Sequence, residues 1–67
     1  PPIDKTDISA TIPYSENLKE DFEKKASEMI HDMKLKGCIK GIITANGEDE
    51  NRVLRITITC HEWEKRP

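Results

Sequence analysis

The stretch RVLRITITCHEW, residues 52–63, decides the fold of this chain. Its residues alternate in polarity, and one side of an extended strand would carry Leu54, Ile56, Ile58 and Cys60. This set is apolar, as one side of a hydrophobic core requires. The intervening residues are mostly polar but end in a tryptophan, so the second side of the strand needs its own explanation.

Upstream of this strand, the segment YSENLKEDFEKKASEMIHDMKLKG predicts an amphipathic helix. Ser15 and Asn17 are both candidates for the N-cap, and Gly37 stands where a helix-terminating glycine belongs. The apolar residues recur at steps of four and three and therefore form one stripe. That stripe consists of Leu18, Phe22, Ala26, Met29, Ile30 and Met33.

Two further segments are typical of strands. ISATI, residues 8–12, alternates in polarity and is ended by Pro13, while CIKGIITA, residues 38–45, is rich in β-branched residues. NGEDEN, residues 46–51, predicts an acidic hairpin loop. The expected fold is α+β in the order β-α-β-β, with one amphipathic helix packed on a three-stranded, mainly antiparallel sheet. We expect one domain over residues 1–67, of which 1–7 form a loose lead-in.

Lys40 indicates which residues of the second strand face the helix. If Ile56 and Ile58 face the helix, Ile39 and Ile43 must do so too, since the opposite phase would bury Lys40. The expected pairings are then Ile43 with Leu54 and Ile39 with Ile58.

The same assignment of residues to faces separates the two cysteines. It places Cys38 on the outer face of the sheet and Cys60 on the core face, so we expect no disulfide between them. Cys60 and His61 are neighbours in a strand and point to opposite faces, which argues against a catalytic pair. We expect no catalytic residues and no metal site.

The outer face of the sheet is the predicted binding surface. It mixes cations, hydroxyls and apolar groups, and is too apolar for plain solvent exposure. A buried subunit contact is the favoured interpretation. Single-stranded nucleic acid is the alternative, because that ligand needs charge for phosphates and rings for base stacking. The predicted residues are Lys40, Ile42, Val53, Arg55, Thr57, Thr59, His61 and Trp63.

A second candidate is the acidic hairpin tip. Glu48, Asp49 and Glu50 would attract a cation or a basic partner, but they lack the ligand spacing of a calcium loop. A solvated turn is the favoured interpretation of these residues.

The length and charge of the chain limit the classes of function that it can have. A 67-residue chain buries only about 60% of its unfolded surface, so oligomerisation is a natural source of additional stability. The net charge of −2 gives no basic excess for duplex binding. No apolar run is long enough to span a membrane. We expect a cytoplasmic protein without membrane association.

From about residue 8 to residue 63 the layout resembles dodecin, a small flavin-storage protein. SENLKEDFEKKASEMIHDM is similar to its capped helix, and NGEDENRVLRITITCHEW is similar to its acidic turn and long last strand. The resemblance implies a curled sheet around one helix and a multi-subunit shell. Dodecins stack a tryptophan at the start of the second strand on the flavin, whereas LKGCIKG has no aromatic residue. We therefore expect no cofactor.

Together these observations predict a small non-enzymatic binding protein. It would act as a homo-oligomer that regulates or inhibits a larger protein through its outer sheet face or a sheet edge. Single-stranded nucleic-acid binding and a dodecin-like storage shell are the alternatives, and a small enzyme ranks last.

Overall fold

The computed structural model describes residues 7–65. Its elements are β1 (Asp7–Pro13), α1 (Leu18–Leu35), β2 (Cys38–Glu48) and β3 (Val53–Trp63). The predicted α+β fold in the order β-α-β-β is therefore confirmed. The predicted lead-in lies outside the described residues except for Asp7, which begins β1.

Helix α1 begins and ends close to the predicted residues. Asn17 is the N-cap, and its carbonyl oxygen accepts the backbone N–H of Asp21 at 2.9 Å, although its side chain makes no capping bond. Gly37 follows the helix with φ 103°, a left-handed conformation that ends the helix and favours glycine. Within residues 7–65, no helix combines the length and apolar character needed to cross a membrane.

The sheet has the order β1-β3-β2, with both neighbouring pairs antiparallel. The strand that decides the fold is therefore central, and this position explains why its apolar side is the most deeply buried. Ile56 lies between Ala10 on one side and Ala45 on the other, and its side chain is fully buried. The helix covers this face of the sheet. The buried core consists of Ile12, Ala26, Met29, Met33, Ile56, Ile58 and Cys60.

The predicted register of the β2–β3 hairpin is wrong. Ile43 pairs with Ile58, whereas Leu54 pairs with Gly47. The loop predicted over 46–51 is shorter, because β2 continues to Glu48 and the turn occupies 49–52. The observed register differs from the predicted one by an even number of residues. The residues predicted for the inner and outer faces of β2 therefore lie on those faces in this part of the sheet.

The glycine of the Asn-Gly pair has a role other than a turn. A Cβ on Gly47 would collide with the Tyr14 hydroxyl oxygen, so the absence of a side chain makes room for Tyr14 beside the hairpin. Arg52, with φ 58°, supplies the left-handed residue at the end of the turn instead.

At the other end of the hairpin, the alternation is interrupted on both strands. Gly41 pairs with Cys60, Lys40 with Glu62, and Cys38 with Trp63. The extra residues are His61 on β3 and Ile39 on β2, and each one shifts the register.

These irregularities overturn the cysteine prediction. Cys38 turns to the helix side and forms a disulfide with Cys60, with an S–S distance of 2.02 Å and a Cα–Cα distance of 6.0 Å. Gly41 permits the close approach of β2 to β3 at this point, since a Cβ there would lie 2.8 Å from the backbone oxygen of Thr59. The bridge joins Cys38, the first residue of β2, to Cys60 near the end of β3. It therefore closes the open end of the hairpin.

Candidate functional site

The outer face of the sheet contains most, but not all, of the predicted surface. By alternation, Ile42 on β2 and Val53, Arg55, Thr57 and Thr59 on β3 share this face, and Lys40 joins it at the start of β2. His61 is exposed at the irregular pairing and belongs to neither alternating row.

Trp63 does not lie with this set, which corrects the prediction. It pairs with Cys38 and packs against the core cluster, because the unpaired His61 reverses the alternation before the end of β3. Phe22 packs against the same core, and the Tyr14 hydroxyl lies beside Gly47. The alternating rows of the outer face therefore present no tyrosine, phenylalanine or tryptophan ring on which a nucleic-acid base could stack.

The Arg55 guanidinium is already paired. Its Nε and Nη2 donate to the two carboxylate oxygens of Glu48, the latter at 3.4 Å, and its Nη1 donates to Ser9 Oγ at 3.4 Å. The hydrogen bonds between the two side chains raise the pKa of Arg55 and, with a further bond from Asn51 Nδ2 at 3.3 Å, lower the pKa of Glu48. Arg55 is thus compensated by a neighbouring carboxylate and is poorly placed to attract a phosphate.

The Glu48 interaction predicts an acid-dependent loss of stability. Because the Arg55 hydrogen bond holds the pKa of Glu48 below its unfolded value, the stabilisation is present above the ordinary glutamate pKa of about 4.3 and is lost as the pH falls through the folded pKa. Urea unfolding between neutral pH and about pH 2.5 should show wild type losing more stability on acidification than Glu48→Gln. Parallel curves for the two proteins would contradict the assignment.

The acidic hairpin tip does not act as one site. Glu48 is bound by Arg55, and the Asp49 carboxylate accepts the Tyr14 hydroxyl at 3.0 Å, which raises the pKa of Tyr14. Glu50 lies exposed in the turn. Among residues 7–65, no three histidine, cysteine, aspartate or glutamate side chains are grouped so as to hold a metal ion.

An exposed aliphatic surface extends beyond the predicted one, with which it shares Ile42. Five aliphatic side chains on the second half of α1 and on β2 are between 37% and 72% exposed. A groove of about 200 Å³ has Met33 and Ile58 on its floor and Ile39 at its rim. Lys34 lies beside it. We call the four of these exposed side chains that line the groove the aliphatic patch; it consists of Ile30, Ile39, Ile42 and Ile43.

This patch borders an open strand edge. Since the sheet order is β1-β3-β2, one edge of β2 has no strand partner among residues 7–65. Nine of the strand's eleven residues are exposed. The sequence did hold a signal for this surface. Ile42 and Ile43 are consecutive in a strand and must point to opposite faces, so one of them lies on the face that the helix does not cover. Ile30 was assigned to the helix stripe and Ile43 to the core, and neither is buried.

Comparisons of this chain with protein-family models, with curated proteins and with solved structures found no match. The dodecin-like shell stays a prediction. A function for this chain must therefore be inferred from its own surface chemistry.

Proposed function

We propose that this chain is a small, non-enzymatic interaction protein that associates through the open edge of β2 and the aliphatic patch. In this proposal it forms a homo-oligomer and regulates or inhibits a larger protein. The observation that supports it is the position of four exposed aliphatic side chains, those of the aliphatic patch, beside an unpaired strand edge.

The physical reason is that such an edge attracts another strand. Unpaired backbone N–H and C=O groups form a template for strand addition, and flanking apolar side chains add hydrophobic burial. Proteins usually protect long edges with proline, charge or a covering element. β2 contains no proline, and its only charged residues are Lys40 and Glu48 near its two ends.

The centre of the proposed surface lies at a different place in the sheet from the centre of the predicted one. It keeps Ile42 and Lys40 but moves from the middle of the outer face to the β2 edge. A nucleic-acid surface is less well supported, because Trp63 packs against the core and Arg55 is paired with Glu48.

The disulfide bears on where this protein works. Structural disulfides persist in oxidising compartments and are rare in the cytosol. Both cysteines of the chain are in the Cys38–Cys60 bridge. We therefore propose an oxidising compartment in place of the cytoplasm that was expected from the sequence.

Self-association is the test of this proposal. Sedimentation velocity over a range of concentrations should show wild type heavier than the 7.7 kDa monomer. Ile42→Lys, in the middle of β2, should shift the population to monomer, because a charged group would replace a 52% exposed apolar one at the contact. Glu28→Gln makes the same change of net charge on the β1 side of the helix, where Glu28 borders Thr11, and should leave association unchanged. A wild-type monomer at all concentrations would contradict homo-oligomerisation.

A further inference from the structure

Resting on the proposed function, we infer that the occupant of the β2 edge is a second copy of this chain, paired antiparallel with Thr44 opposite Thr44. The two three-stranded sheets become one six-stranded sheet, with both helices on the same side.

Charge selects the strand direction. Lys40 lies near the start of β2 and Glu48 at its end, and both belong to the outer face by alternation. An antiparallel copy places each Lys40 opposite the Glu48 of the other copy, which gives two opposite-charge pairs. A parallel, in-register copy would place lysine against lysine and glutamate against glutamate, which destabilises a strand pair.

Side-chain size agrees with the same register. On the helix side of the sheet, Ile43 of one copy meets Ala45 of the other, and Gly41 meets Gly47. Large residues thus face small ones, and small residues face each other. On the outer side, Thr44 meets itself across the twofold axis, and threonine pairs are favourable neighbours between strands.

Neighbouring registers are less favourable. A twofold axis perpendicular to the sheet keeps the two faces aligned only when the strands slip by an even number of residues. A slip of two that brings Ile43 opposite itself places Lys40 against Asn46. The opposite slip, which brings Ala45 opposite itself, places Glu48 against Ile42. The register centred on Thr44 is the one that opposes both charges directly.

Glu48 is able to accept the second cation. Arg55 reaches its carboxylate from β3, on the side away from the open edge, and Asn51 reaches it from the turn. A carboxylate has about four acceptor sites on its two oxygens. The Glu48 side chain is 31% exposed, so part of it remains open to the Lys40 ammonium of the other copy.

A charge swap tests this pairing. Lys40→Glu alone places two carboxylates together at each contact, and Glu48→Lys alone places two ammonium groups together, so each variant should dimerise about tenfold more weakly than wild type. An equimolar mixture of the two variants restores both opposite-charge pairs and should form a heterodimer with near wild-type affinity. Sedimentation velocity and native mass spectrometry measure these species, and circular dichroism checks that each variant is folded.

Matched controls lie on the opposite side of the molecule. Lys24 and Glu28 border Thr11 of β1, away from the β2 edge. Lys24→Glu and Glu28→Lys make the same charge changes, and each should dimerise like wild type.

The outcomes separate the two proposals. If wild type and both swap variants dimerise equally while Ile42→Lys is monomeric, this pairing is wrong and association through the patch stands. If the swap variants are monomeric alone and stay monomeric when mixed, the pairing is also wrong. If wild type itself is monomeric, self-association and this pairing fall together.

Discussion

Removing the Cys38–Cys60 disulfide is expected to lower the free energy of unfolding by about 3 kcal/mol. The bridge joins residues 22 positions apart and so restricts the unfolded chain over the whole β2–β3 hairpin. A single domain is stable by only about 5–15 kcal/mol, so this loss is a large fraction of the total. Urea unfolding of Cys38→Ala/Cys60→Ala against wild type measures it.

Reduction provides a check that leaves both sulfur atoms in place. Wild type treated with a dithiol reductant should unfold at nearly the same lowered urea concentration as the double alanine variant. The same reductant should have no effect on the variant, which has no cysteine. A reduced wild type as stable as the oxidised protein would contradict the contribution assigned to the bridge.

Ile56→Ala is expected to cost about 2–5 kcal/mol, because it removes methylene and methyl groups from the most buried position of the described chain. Ile56 is 0% exposed and lies between two alanines on the neighbouring strands. Those small side chains cannot expand to fill the space, so a cavity remains. The midpoint of urea unfolding, measured at low protein concentration, should fall accordingly.

The matched control for this substitution is Ile42→Ala on the same sheet. Ile42 is 52% exposed, so its truncation should change the stability of the monomer by a small fraction of the Ile56 effect. Equal losses at the two positions would mean that the burial assigned to β3 is wrong.

The sequence was sufficient for the elements and for the faces of the central strand. Gly37 marked the end of the helix, and Ile56 and Ile58 lie in the core as alternation predicted. The hairpin register was missed because Asn46-Gly47 has the composition of a turn. Here Gly47 instead accommodates a side chain, that of Tyr14, which is distant in sequence from the hairpin.

The candidate site could be predicted only in part, for a similar reason. Alternation assumes one residue opposite one residue, and it fails where Ile39 and His61 have no partner. Those two positions bring Cys38 to Cys60 and turn Trp63 away from the outer face. Nothing in a single sequence marks such an irregularity. The exposure of Ile43 likewise depends on where the helix lies across the sheet.

The position of β1 beside β3 also determines how the described chain would respond to a mechanical pull. Asp7 at the start of β1 lies opposite Thr59 near the end of β3, so force applied at residues 7 and 65 acts on the same end of that strand pair. The pair then opens like a zipper, one hydrogen-bonded rung after another, and not by shear along its whole length. Once β1 has detached, the load passes directly from Cys38 to Cys60 through the sulfur atoms, and the hairpin between them stays out of the extending path.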